Sequence, residues 1–229
     1  MPSFLYEVFI NNIKKNKKKK IIYSLTESLS GKECLSKIEK INKYLILNKI
    51  KTIGLSSTNS IEWILWYISA KKHCKKIFIF NQNTPEKKIK NIAKKYFIDL
   101  IVKNNKKIIF YNSKKKKREK IYIDILYTSG TSNEPKGALI SEKAYLHVAK
   151  FLIKKFKHTN KDLELLSMPF SHSFGLTRLR CNIIAGSSIL VTNGLGDFPS
   201  IYNFSKTKKI TGLSLVPSGV ELIKYMLKN

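Results

Sequence analysis

Tyr127-Thr128-Ser129-Gly130-Thr131-Ser132-Asn133-Glu134-Pro135-Lys136-Gly137 gathers hydroxyl side chains, a glycine and a lysine into one polar run. Apolar residues from Ile121 to Tyr127 lead into it and Ala138 to Ile140 leave it. That pattern predicts a turn joining two extended segments. Thr128, Ser129, Thr131 and Ser132 each offer a hydroxyl, and the backbone N–H groups of a tight turn can converge on an anion. Gly130 has no Cβ to hold a phosphate away from the backbone, and Lys136 adds a compact charge on a flexible stem. These residue types point to phosphate handling. They are not the common G-x-x-x-x-G-K-[ST] loop, which needs a second glycine beside the lysine and a helix after it. Clusters of Ser, Thr, Gly and Pro are also ordinary surface turns, so the run by itself leaves both readings open.

Other segments narrow the choice. Ile53-Gly54-Leu55-Ser56-Ser57-Thr58-Asn59-Ser60-Ile61-Glu62-Trp63 reads as a strand, an Asn-Ser turn and the start of a helix. Pro169-Phe170-Ser171-His172-Ser173-Phe174-Gly175-Leu176 has the form Pro-x-x-His-x-x-Gly, and Ile210-Thr211-Gly212-Leu213-Ser214-Leu215-Val216-Pro217 is an extended run ending in Val-Pro. In this order, with the polar run between the first and second, the set resembles the adenylate-forming (AMP-binding) superfamily. Its members include acyl-CoA synthetases, luciferases and the adenylation domains of peptide synthetases. The family's phosphate loop reads Tyr-Thr-Ser-Gly-Thr-Thr-Gly-x-Pro-Lys-Gly. This chain departs from it at Ser132, hydroxyl for hydroxyl, and at Asn133, where glycine is usual. Asparagine tolerates left-handed backbone better than most residues, which lets the loop keep its shape.

The resemblance implies an α/β fold of mostly parallel sheets flanked by helices, with residues 1–229 as a partial N-terminal domain of the family. It implies ATP-dependent activation of a carboxylic acid as an acyl-adenylate, followed by transfer to a thiol of coenzyme A or of a carrier protein: an acid–thiol ligase. Thr128, Ser129, Gly130, Thr131, Ser132, Asn133 and Lys136 would bind the nucleotide. Lys136 and His172 would be the catalytic side chains, and Mg2+ would bridge the phosphates. Phe170 and Phe174 are either pocket walls or core aromatics. A complete member also carries a Tyr-Gly-x-Thr-Glu segment, a Thr-Gly-Asp segment and a small C-terminal domain with a catalytic lysine, none of which this sequence shows. The expectation is a truncated or split enzyme, with a separately encoded C-terminal half as a candidate partner. A noncatalytic nucleotide-binding or assembly subunit remains the alternative.

Composition bounds the rest. The 229 residues are 43% hydrophobic and carry a formal charge of +29, enough apolar matter for a core and a strong bias toward anions. Among the 44 basic residues only Arg118, Arg178 and Arg180 are arginine. Base-specific contacts lean on arginine, so no specific nucleic-acid partner is expected; lysine-driven, salt-sensitive binding of nucleic acid stays open. A surface ion pair is the expected fate of Arg178 and Arg180. Cys34, Cys74 and Cys181 are widely spaced and odd in number, and the histidines show no metal spacing. No stretch reaches transmembrane length, and the N-terminal charge order is wrong for a secretory signal. A reduced, cytoplasmic protein follows.

Strand and helix patterns alternate along the chain, which argues for a mostly parallel sheet with helices on its faces. Helices are expected over Met1 to Ile13, Ile61 to Lys71, Pro85 to Tyr96, Glu142 to Lys157, Phe174 to Ala185 and Gly219 to Lys228, with another around Leu35 to Ile46. Thr84 before Pro85 reads as an N-cap. The basic amphipathic start also allows a membrane-surface helix.

Overall fold

The computed structural model describes residues 2–56, 58–104, 106–110, 122–127 and 136–228. The chain opens with α1 (Phe4–Lys15), capped by Ser3, whose hydroxyl accepts from the Tyr6 amide. Leu5, Phe9 and Ile13 fall one turn apart and form its buried stripe. That stripe packs inward against later helices, so α1 does not offer an apolar face to a membrane. The strands β1 (Lys20–Tyr23) and β2 (Ser28–Ser30) form an antiparallel pair before α2 (Gly31–Leu47). A reciprocal cap starts α2: Ser30 Oγ accepts from the Glu33 amide while Glu33 Oε2 accepts from the Ser30 amide.

Next come β3 (Thr52–Ser56), α3 (Ile61–His73), β4 (Lys76–Ile79), α4 (Glu86–Lys95), β5 (Leu100–Lys103), β6 (Lys106–Ile109), β7 (Ile123–Tyr127) and β8 (Gly137–Ser141). They make a six-stranded sheet in the order β6-β5-β3-β4-β7-β8, parallel in its centre, with antiparallel strands at both edges. After α5 (Glu142–Lys155), the chain continues through β9 (Leu163–Leu166), α6 (Ser173–Ala185), β10 (Ser188–Val191), α7 (Phe198–Thr207), β11 (Gly212–Leu213) and α8 (Pro217–Lys228). These strands join β1 and β2 in a second sheet, ordered β11-β9-β10-β1-β2. The first and last parts of the chain therefore share a sheet, with β1 parallel to β10. A cut into two consecutive domains would sever that sheet.

The layers follow from which side chains alternate to which face. One core joins α1, α2, α3, α5 and α6 to the inner faces of both sheets, through Ile77 and Ile79 on one side and Leu166, Ile189 and Val191 on the other. Phe78 points to the opposite face, where α4 packs; Leu165 and Leu190 point to the outer face of the second sheet, beneath α7 and α8. α3 is buried almost all round, as its run of Trp63 to Lys71 requires of a helix lying between two sheets. The expected α/β fold of mostly parallel sheets flanked by helices is the one observed.

Several local expectations shift. Thr84 does not cap α4: Pro85 holds the N-cap position and no side chain caps the helix. The helix α7, which buries only Ile201 fully, and the short β2 were not foreseen.

Candidate active site

Tyr127 and Gly137 sit opposite each other where β7 ends and β8 begins, so the two apolar flanks of the polar run are the paired, extended segments the sequence predicted. A Cβ at Gly137 would lie 2.9 Å from Ile125 Cγ2 and 3.5 Å from Tyr127 Cζ; glycine lets the hairpin close under the tyrosine ring. That ring stacks on Phe80, with centroids 5.2 Å apart and planes 11° apart. Of the expected nucleotide-binding residues, Thr128, Ser129, Gly130, Thr131, Ser132 and Asn133 lie outside the described residues. Lys136 is described and exposed, one residue ahead of β8.

A cleft of about 580 Å³ opens beside this hairpin. Tyr127 and Ala138 bring in the two strands that carry the loop, Asn81, Thr84 and Lys88 come from the turn after β4 and from α4, and Ser171, His172 and Ser173 come from the start of α6. Two motifs far apart in sequence thus border one space at the carboxyl ends of β4 and β7, where open α/β sheets commonly bind ligands. His172 holds the N-cap position of α6 without capping it through its side chain, and it is exposed. The described lining includes His172 and does not include Lys136, which stands beside the cleft.

The segment bearing His172 is fixed from below. Asn59 Nδ2 donates to the Met168 carbonyl at 2.8 Å, and Asn59 Oδ1 accepts from the Phe170 amide at 2.9 Å. A Cβ at Gly175 would meet the carbonyl oxygens of Pro169 and Met168 at 2.4 and 2.5 Å, so only glycine lets α6 start this close to the preceding chain. Phe170 is buried, its ring 5.1 Å from that of Trp63, which assigns it to the core. Phe174 is partly exposed and faces a different cleft, between the end of α5 and β11.

Beneath the hairpin lies an ionic cluster the sequence reading missed. Asp124, the second residue of β7, is fully buried. Its carboxylate accepts from Lys71 Nζ at 2.6 Å, from the Tyr67 hydroxyl at 2.7 Å and from Arg180 Nη2. The Tyr145 ring lies 4.1 Å from Arg180 Cζ and 4.8 Å from Lys71 Nζ. The strand entering the polar turn is therefore tied to α3, α5 and α6 at one point. Burial alone would raise the Asp124 carboxyl, but the adjacent Lys71 and Arg180 charges outweigh it and hold the group below its ordinary range. Part of the signal was present in the sequence: one aspartate inside an apolar strand, and Lys71 directly after the apolar run of a helix.

Arg178 and Arg180 are likewise not at the surface. Arg180 is 1% and Arg178 7% exposed. Arg178 grips Glu164 through Nε at 2.8 Å and Nη2 at 2.6 Å, and Asn182 and Ser214 donate to the same carboxylate. Burial of both withdraws them from any base-reading role. As for metal, the described lining of the hairpin cleft supplies hydroxyls, amides, one lysine and the His172 imidazole but no carboxylate, and the described residues hold no cluster of three His, Cys, Asp or Glu. Those donors do not make a magnesium site. No described helix is long and apolar enough to cross a membrane.

A model of the family described as AMP-binding enzyme matches residues 113–228. Tyrocidine synthase 3 of Brevibacillus parabrevis is 29% identical over 101 residues, which cover 43% of this chain and 2% of that protein. Indoleacetate–CoA ligase of Aromatoleum aromaticum is 29% identical over 99 residues, or 43% of this chain and 19% of the ligase. Among solved structures, the N-terminal domain of FACL13 from Mycobacterium tuberculosis gives a TM-score of 0.80 at 12% identity, covering 98% of this chain and 65% of that one. O-succinylbenzoate coenzyme A synthetase from Bacillus subtilis, solved with AMP, gives 0.76 at 12% identity, covering 95% and 62%. At these identities the structural likeness speaks for the fold. The chain spans less than two thirds of each of these relatives.

Proposed function

The chain belongs to the AMP-binding enzyme family, and on that premise we propose that it takes part in ATP-dependent activation of a carboxylic acid. A carboxylate oxygen attacks the α-phosphorus of ATP, the bond to the bridging oxygen of the β-phosphate breaks, and pyrophosphate leaves an acyl-adenylate behind. In a second step a thiolate, on coenzyme A or a carrier protein, forms the C–S bond and releases AMP. Such chemistry rests on positioning and charge neutralisation more than on a covalent catalyst. The hydroxyls of Thr128, Ser129, Thr131 and Ser132 and the backbone around Gly130 and Asn133 hold the triphosphate. Lys136 neutralises the departing pyrophosphate, and His172 borders the acid from across the cleft.

The observation that carries this reading is the shared cleft: the strands flanking the phosphate turn and the segment containing His172 border one space of about 580 Å³. Magnesium, when bound with ATP, supplies further charge neutralisation; its carboxylate ligand belongs to polypeptide other than the described lining. We further propose that the remaining third of the fold, present in the solved relatives, completes the site, either in the same polypeptide or as a separately encoded half. A noncatalytic nucleotide-binding subunit is the second reading. The free cysteines, all buried, suit a cytoplasmic setting.

Calorimetry with ATP and a carboxylate-dependent pyrophosphate exchange assay separate these readings. ATP binding without exchange by the 229-residue chain, and exchange once a complementing half is supplied, is the expected result. No ATP binding at any accessible concentration overturns the proposal, and ATP binding without exchange even in the completed assembly leaves the noncatalytic reading.

A further inference from the structure

The two sheets send four strand ends to one further cleft, of about 690 Å³. In the first sheet the chain passes from β3 to β4 on one side and then crosses back to lay β5 on the other, so its winding reverses between β3 and β5. Open α/β sheets bind ligands outside the carboxyl ends of their strands at such a reversal. Thr58 and Glu62, beyond β3, and Asn104, directly after β5, line the cleft there. Opposite elements close it: Glu27 in the turn after β1, Asn193 after β10 and Asp197 at the start of α7. The hairpin cleft borders β4 and β7 instead, and the two share no lining residue.

The polarity of this cleft runs against that of the chain. The protein carries 44 basic and 15 acidic residues, yet the described lining holds three carboxylates and no lysine or arginine. Remote lysines do not offset this, since exposed charges beyond about 8 Å are largely screened at physiological salt. Anions are therefore disfavoured here, in contrast to the hairpin cleft, where Lys88 is present and no carboxylate is. Hydrogen-bonding capacity is left open. Glu62 Oε1 accepts from the Trp66 indole and Asp197 Oδ1 from the Ser200 amide, which leaves the second oxygen of each; the Glu27, Thr58 and Asn193 side chains make no hydrogen bond among the described residues. The acidic groups come from three separate elements and do not converge as metal ligands. Ile61, Val191 and Ile201, all buried, supply an apolar wall.

We propose that this cleft binds an uncharged, hydroxyl-rich small molecule, a sugar or a polyol. Its hydroxyls donate to the Glu27, Glu62 and Asp197 carboxylates and accept from the Asn193 amide and the Thr58 hydroxyl, while its carbon skeleton lies against Ile61, Val191 and Ile201. A hydroxyl both donates and accepts, which matches a lining that mixes carboxylates with amides and hydroxyls. Each bond from a hydroxyl to a carboxylate is roughly twice as strong as a neutral one. An ammonium group would serve the carboxylates alone, and these do not gather at one point to receive it. The site stands apart from the hairpin cleft and from adenylation chemistry.

The test is saturation-transfer NMR and titration calorimetry of the 229-residue protein with glucose and myo-inositol. Both should bind at millimolar concentration and displace one another, whereas glucose 6-phosphate, repelled by the carboxylates, should displace neither. Glu27→Ala combined with Asn193→Ala removes two exposed partners and should weaken glucose about tenfold or more. Asp197→Asn still caps α7 and should weaken it several-fold, while His172→Ala, in the other cleft, should leave it unchanged. No binding of either compound, displacement by glucose 6-phosphate as efficient as by glucose, or unchanged affinity in the double variant or in Asp197→Asn overturns the proposal. So does an equal loss in His172→Ala, and so does glucosamine binding about tenfold tighter than glucose, which would mark a cation site.

Discussion

Asn59 clamps Phe170 from across the molecule: its Oδ1 accepts from the Phe170 amide at 2.9 Å while its Nδ2 donates to the neighbouring Met168 carbonyl at 2.8 Å. One side chain at the start of α3 thus satisfies both backbone groups of the turn that leads to His172. The Asn-Ser turn and the Pro-x-x-His-x-x-Gly segment, separate in sequence, are one structural unit.

Asn59→Ala removes both bonds and leaves a donor and an acceptor of the turn unpaired in a half-buried setting. The expected loss is about 1–3 kcal/mol, read as a lower urea midpoint at unchanged slope. Asn59→Asp should be nearly as damaging, because its second oxygen would face the Met168 carbonyl. A midpoint within error of wild type for both variants removes the clamp.

Gly175→Ala should destabilise through backbone contact rather than conformation, because the added methyl meets two carbonyl oxygens inside 2.6 Å. About 1–3 kcal/mol is expected from overpacking. In contrast, Gly196→Ala, which meets nothing within 4 Å, should be close to neutral. Equal thermal shifts for the two variants would refute the close approach of α6 to Pro169.

The Asp124 cluster predicts an acid-labile fold. A carboxyl held below its unfolded value of about 3.9 contributes stability that is fully present above that value and is lost as pH falls through the lower folded value. Protonation then leaves Lys71 and Arg180 buried without their counter-ion. Asp124→Asn should cost about 3–5 kcal/mol near neutral pH, the range for breaking a buried pair. It should also flatten this part of the stability profile below about pH 4. Urea unfolding from pH 3 to 7 measures both; a variant as acid-sensitive as wild type shifts the assignment to another group.

Lys136→Ala should weaken ATP or pyrophosphate binding by roughly 1.5–3 kcal/mol, the range for a bond to a charged group. Lys40→Ala removes the same charge from an exposed position on α2 and should change little. Calorimetry at two salt concentrations distinguishes a specific contact from attraction by a chain of +29. Equal losses in the two variants leave only diffuse electrostatics.

The sequence by itself determined what depends on local order. The alternation of strand and helix, the hairpin around the polar turn and the family signature in Tyr127 to Gly137 are all written in consecutive residues, because backbone periodicity and turn chemistry act over a few positions. Tertiary structure alone decided what those elements meet. The sharing of a sheet by β1 and β10, the burial of Arg178 and Arg180 that composition had placed at the surface, and the convergence of Lys71, Asp124 and Arg180 all join distant positions. Whether an arginine is solvated or buried depends on the carboxylate that folding brings to it. Here Asp124 and Glu164, inside apolar strands, offered partners strong enough to draw both arginines into the core.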